Sequence, residues 1–210
     1  MIQRKRRVAI LIFDDVEVLD FAGPFEVFGV SRFASGDPAF DVSVVSLDGK
    51  PVRARNGLGV QPHSAPEDLA AADILVVPGG YGTRRLLSDP DARALVTSAS
   101  QAAEATLSVC TGSLMLAAYG LLRGMAATTH VDAMDDLRAL DPGIDDRPGA
   151  RVVDNGRLLT SAGVSAGIDA SLHLVSRFAG EGVAIETARY IQYDWRERGV
   201  DRPDINPFRT

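Results

Sequence analysis

The chain has 210 residues, 46% of them apolar and 24% charged, with a net charge of −6 at pH 7. That length accommodates one α/β domain with its own core, and the acidic balance excludes a general nucleic-acid binder, which needs a basic face. A single cysteine rules out an internal disulfide framework and fits a reducing cytoplasm, and no stretch approaches the roughly 20 apolar residues of a membrane span. The histidines, His63, His130 and His173, lack metal-ligand spacing such as H-x-x-x-H.

A basic stretch at 4–7 precedes an apolar run at 8–13 that stops at Asp14-Asp15. The run is short for a signal peptide and has no small-residue cleavage site; it reads as the first buried strand of a parallel sheet. Residues 14–18 form a turn, and L-D-F-A-G-P at 19–24 leads into a helix through 25–30, with Pro24 suited to its first turn. Asp20 falls near the helix start, either as an N-cap or as a carboxyl group facing a site at the strand ends.

A second strand is expected over 40–47, a turn over 48–51, a short extra strand over 58–62 and a short helix over 65–71. The strand at 74–77 runs into P-G-G-Y-G at 78–82. That loop lies where open α/β sheets bind ligands. It does not match a phosphate-binding G-x-x-x-x-G-K-[ST] and is a poor G-x-G-x-x-G. It is either a plain tight turn or a set of N–H groups that can approach developing negative charge.

A helix over 91–103 is followed by A-T-L-S-V-C-T-G-S-L-M at 105–115. A β-rich run, a sharp small-residue turn and a run of helix formers make the layout of a nucleophile elbow, with Cys110 at its apex. A lone cysteine is often a small buried hydrophobe; at an elbow it faces a helix amino end, which favours a thiolate. Further on, residues 121–124 connect to a short strand at 126–129 and a helix at 130–140, where His130 is assigned a structural role. Asn155-Gly156 predicts a hairpin over 151–160. A helix over 168–178 places Asp169 and His173 four apart on one face, where they pair with each other. A last helix is expected over 186–195, and 201–210 is an irregular tail to a single domain over 1–200. Strands alternating with helices indicate a three-layer α/β sandwich with a mostly parallel sheet. Asp20, the Gly79-Gly80 loop and Cys110 then meet at the carboxyl ends of the first, third and fourth main strands.

Nearly the whole chain resembles the PfpI-like branch of the class I glutamine amidotransferase-like superfamily, and within it the isocyanide hydratases. The likeness is carried by L-D-F-A-G-P at 19–24, P-G-G-Y-G at 78–82, S-V-C-T-G-S-L at 108–114, A-T-T-H at 127–130 and S-A-G-V-S-A-G-I-D at 161–169. It implies a flavodoxin-like sandwich, a homodimer, a small-molecule substrate, and no metal or organic cofactor. It makes Cys110 the nucleophile and Asp20 its acid–base partner. Thr111 then stands where many PfpI-type proteases and glyoxalases carry histidine. Gly79, Gly80, Ala162, Gly163 and Val164 take the substrate and oxyanion positions. One departure is Ser161-Ala162-Gly163, where the hydratases have a more glycine-rich run, so a Cβ at Ala162 would restrict the backbone beside the nucleophile. Some relatives fuse a C-terminal helix-turn-helix module, which is not expected here. The implied reaction is hydration of an isocyanide to an N-formamide through a covalent thioimidate. It calls for a depressed thiol pKa at Cys110 and a raised carboxyl pKa at Asp20. A glyoxalase- or deglycase-like enzyme on 2-oxoaldehydes, and a redox sensor or small-molecule-binding regulator, stand as alternatives. Phe21, Phe25 and Tyr81 are pocket walls or core.

Overall fold

The computed structural model describes residues 4–195 together with 200, 201 and 203. Its centre is a seven-stranded sheet of β1 (Arg6–Ile12), β2 (Phe40–Ser46), β3 (Ile74–Val77), β4 (Ala105–Val109), β5 (Val152–Asp154), β6 (Leu158–Ser161) and β7 (Val200–Asp201). The spatial order is β7-β5-β6-β4-β3-β1-β2. Every pairing is parallel except β5 with β6, the hairpin signalled by Asn155-Gly156. β3 and β4 are buried at every position, as apolar runs of a doubly covered parallel sheet must be.

Helices α1 (Val18–Val30), α2 (Thr83–Leu86), α3 (Pro90–Ala102), α4 (Gly112–Ala118), α5 (Met134–Leu140), α6 (Ala166–Ala179) and α7 (Glu181–Tyr190) complete the fold. α1, α6 and α7 pack on one another, whereas α3 packs on the 3-10 turn Pro66–Ala71 and α4 on α5. The two groups flank the sheet, giving the mostly parallel, flavodoxin-like sandwich. No helix among the described residues is long and apolar enough to cross a membrane.

The strand order reverses at β1: the chain leaves it to form β2 on one side, then returns to place β3 on the other. Such a switch point opens a crevice at the carboxyl ends of the strands. The segments after β1, β3 and β4 all emerge there, and backbone hydrogen bonds knit two of them together, Glu17 N–H to Gly79 O at 2.9 Å and Gly82 N–H to Asp15 O at 3.4 Å.

Several expectations need correction. Asp20 is not an N-cap: Glu17 holds that position, without a side-chain cap, and Asp20 lies inside the first turn of α1. Pro24 sits within α1, not in its first turn. Asp169 and His173 do not pair. Asp169 accepts hydrogen bonds from Arg151 and from the Tyr193 hydroxyl at 3.1 Å, while His173 Nε2 meets Asp154 Oδ2 at 2.8 Å. The β5–β6 hairpin lies under this face of α6 and offers each a better partner than the other. The last helix is α7, which starts at Glu181 because Gly180, at φ 106°, ends α6 and redirects the chain. Of the tail expected from 201, Asp201 pairs with Val153 in β7, and residues 202 and 204–210 lie outside the described residues.

Candidate active site

Cys110 follows β4 directly and has φ 55°, a left-handed conformation uncommon for a side chain with a Cβ. Such residues cost about 1–3 kcal/mol and persist where the surroundings over-determine them. Here the surroundings do. The Cys110 N–H is shared between the carbonyls of Ser161 and Ala162, at 3.2 Å each. The Cys110 carbonyl accepts the hydroxyls of Ser113 at 3.1 Å and Thr129 at 3.0 Å. The strand-to-helix elbow legible in the sequence is therefore pinned from both sides, by Ser161, Ala162 and Thr129 from distant parts of the chain and by Ser113 from the helix that follows.

Cys110 is 6% exposed and lines a cavity of about 340 Å³. Thr111 and Val164 direct their backbone N–H groups at its sulfur, Val164 from its own left-handed conformation at φ 51°. Burial nevertheless pushes the thiol up to about 12, and the neighbouring Asp20 carboxylate adds to the rise against the pull of those two N–H groups. This corrects the expected depressed thiol: the helix terminus is outweighed by desolvation and by a like charge.

Asp20 is fully buried. Its Oδ2 accepts the Gly79 N–H at 3.0 Å, while Oδ1 meets no oxygen or nitrogen partner among the described residues. Burial raises its pKa to about 7, opposed by the Gly79 N–H and the Cys110 thiol and helped by Glu17. A carboxyl group able to hold or release a proton near neutrality is thus in place, which is what the reaction implied by the family resemblance calls for.

The Gly79 N–H is committed to Asp20, and the Gly80 N–H to Thr111 Oγ1 at 3.0 Å. These two glycines hold the acid and the elbow together, and their N–H groups are not turned to the cavity. A Cβ at Gly79 would lie 2.5 Å from the Thr111 nitrogen and 2.9 Å from Asp20 Oδ2, so only glycine lets the loop pass between them. Thr83 extends the network, donating to Gly80 O at 2.8 Å. Ala162 and Gly163 lie behind the cavity. Ala162 contributes its carbonyl to the Cys110 N–H, and a Cβ at Gly163 would come within 2.4 Å of His130 Cδ2.

Cys110, Thr111, Gly80 and Val164 line the cavity with His130, Ala133, Glu17, Arg55, Tyr81, Arg84 and Asp132. His130 is both a cap, its Nδ1 accepting Asp132 N–H at 3.2 Å, and a wall. Tyr81 is a wall; Phe21 belongs to the core and Phe25 packs against His63. Thr129 lies in the A-T-T-H motif but nothing there gave it a role, and Glu17, Arg55 and Arg84 carried no signal in the sequence, because each acts through a tertiary contact. Among the described residues no cluster of three or more His, Cys, Asp or Glu could hold a metal ion.

Fold and site together define a flavodoxin-like sandwich with a cysteine elbow facing a buried acid at the sheet's switch point. The DJ-1/PfpI family profile matches residues 6–177, and the chain belongs to that family. It is 37% identical over 188 residues to the isonitrile hydratase of Pseudomonas putida, covering 89% of this chain and 76% of that one. It is 27% identical to the HTH-type transcriptional regulator GbdR of Pseudomonas aeruginosa over 89% of this chain but 50% of the regulator. Among solved structures, a ThiJ/PfpI family protein from Pseudomonas syringae superposes with a TM-score of 0.80 at 30% identity, covering 92% of this chain and 77% of that one. Drosophila melanogaster DJ-1beta shares the fold at a TM-score of 0.79 and 19% identity, over 91% of this chain and all of its own.

Proposed function

We propose that the protein is a cysteine-dependent hydratase that converts a small isocyanide to the N-formamide. The observation that carries this reading is the pairing of Cys110 with a buried acid whose pKa lies near 7; the likeness to an isonitrile hydratase supports it. At neutral pH the thiol holds its proton and Asp20 is partly ionised. Asp20 takes the thiol proton as Sγ attacks the isocyanide carbon, then returns that proton to the same carbon, giving the thioimidate R–N=CH–S. Water next adds to this carbon, Asp20 carrying the water proton to the nitrogen. The C–S bond then breaks, the hydroxyl proton returns through Asp20 to sulfur, and R–NH–CHO leaves. No redox partner or cofactor enters this balance. The Thr111 and Val164 N–H groups steady the sulfur when it carries charge.

Thr111 in the place of histidine leaves no base at the position directly after the nucleophile, which favours this scheme over a glyoxalase- or deglycase-like one. The same reading carries a homodimer in a reducing cytoplasm, which light scattering on the purified protein tests for its oligomeric part. For the chemistry, the test is formamide production from a simple alkyl isocyanide. Wild type turns over, with kcat/KM rising through about pH 7 as Asp20 ionises, whereas Cys110→Ala and Asp20→Asn lose turnover. Full activity in either variant, or no formamide from folded, reduced wild type, overturns the proposal.

A further inference from the structure

The cavity above Cys110 carries two guanidinium groups, and they are not in the same condition. Arg84 is occupied: Nη2 donates to Asp136 Oδ2 at 2.9 Å and Nη1 to Thr83 Oγ1 at 3.3 Å. Arg55 is held but not consumed. Its plane stacks on the Tyr81 ring, 3.9 Å from guanidinium carbon to ring centroid, and its Nε faces Glu17 Oε2 at 3.7 Å. Its terminal nitrogens make no hydrogen bond among the described residues, and the side chain is only 30% exposed.

The backbone beneath Arg55 is equally fixed. It lies in the short hairpin formed by Val52–Arg53 and Gly59–Val60. That hairpin is tied to the segment after β1 by Asp15 N–H to Arg53 O at 2.8 Å, Arg55 N–H to Val16 O at 2.9 Å and Arg53 N–H to Asp14 Oδ1 at 2.7 Å. A planar fork oriented by an aromatic face and a carboxylate on its Nε edge, with its outer edge unfilled, matches a bidentate carboxylate. Glu17 sits on the opposite edge, so it orients the fork without occupying that position. Asp132, the other acid of the rim, is largely exposed and screened.

We propose that Arg55 recognises a carboxylate carried by the small electrophile that Cys110 attacks. This rests on the reading of Cys110 as the nucleophile and specifies its substrate: an isocyanide whose substituent ends in a carboxylate, reaching from the sulfur to the cavity rim. A neutral isocyanide of equal size fills the same space but leaves the fork unpaired.

The test is independent of turnover. Iodoacetate and iodoacetamide alkylate the same thiolate and differ in one substituent, so the ratio of their rates cancels the thiolate fraction. The chain has one cysteine, so intact mass reports Cys110 alone. In wild type the iodoacetate-to-iodoacetamide ratio exceeds that of a free thiol peptide. In Arg55→Met it falls by about tenfold, the equivalent of one charge-assisted hydrogen bond, with the iodoacetamide rate unchanged; Arg55→Lys falls between the two. An unchanged ratio in Arg55→Met, including equal falls of both rates, overturns the proposal. Failure of isocyanide hydration would leave this readout intact. Where hydration is observed, the KM of a carboxylated isocyanide rises in Arg55→Met and that of a neutral one does not.

Discussion

Replacing Asp20 by asparagine removes a carboxyl group that has to lose its proton inside the protein. Its pKa is 3.8 in an ordinary setting and about 7 in the fold. Between those values the unfolded chain has released the proton while the folded chain still holds it. The unfolded state thus binds fewer protons, and wild-type stability falls as pH rises through the window. Three pKa units at about 1.36 kcal/mol each amount to about 4 kcal/mol, lost by pH 8 and still present below pH 4. The variant has no such slope. Its side-chain carbonyl can accept the Gly79 N–H, and its NH₂ takes the place of Oδ1, which meets no oxygen or nitrogen partner among the described residues. That mismatch is a pH-independent offset of about 1–3 kcal/mol. The difference in unfolding free energy, variant minus wild type, should therefore climb by about 4 kcal/mol from pH 4 to pH 8. Urea unfolding of both proteins, followed by circular dichroism at closely spaced pH values, measures it; other titrating groups cancel in the subtraction. Parallel curves would refute the reasoning, because Asp20 would then ionise as an ordinary carboxyl group and could not shuttle a proton near neutrality.

Other perturbations test the scaffold around the thiol. Thr129→Val removes a hydroxyl that donates to the Cys110 carbonyl at 3.0 Å; kcat should drop by about tenfold at constant KM, and Thr129→Ser should restore it. A loss confined to KM would assign Thr129 to substrate binding. Gly163→Ala drives a methyl against the His130 ring and should cost about 1–3 kcal/mol in urea unfolding. In a His130→Ala background that cost should shrink toward zero, and an additive double variant would show that the ring is not the obstacle.

What the sequence made legible was local. The strands at 8–13 and 74–77, the elbow around Cys110 and the Asn155-Gly156 turn are set by neighbouring residues, and the structure has them. Adjacency at a switch point then brought Asp20, Gly79-Gly80 and Cys110 together. What escaped depends on surroundings that no short window contains. The i,i+4 pairing of Asp169 with His173 was plausible for an isolated helix and was displaced by Arg151 and Asp154 on the hairpin beneath. The thiol's raised pKa is invisible in the sequence because the favourable helix end is local, whereas the burial that overrides it comes from the surrounding fold. Arg55 sits in an unremarkable A-R-N-G loop; nothing marks it until Tyr81 and Glu17 fold against it.

The raised thiol has a consequence for chemical durability. An ordinary cysteine has a pKa of 9.0, against about 12 for Cys110. Three units leave about a thousandfold less thiolate at any pH below both values, since each unit is a factor of ten. Peroxide and stray electrophiles react with the anion, so the raised thiol slows their attack on the native protein. On the proposed reading, a ligand seated beside Asp20 meets a different situation, because the carboxyl group assigned to strip the thiol is its neighbour. Folding thus slows the sulfur toward the bulk solution, and the proposed chemistry keeps its reactivity for molecules held where Asp20 can take the proton.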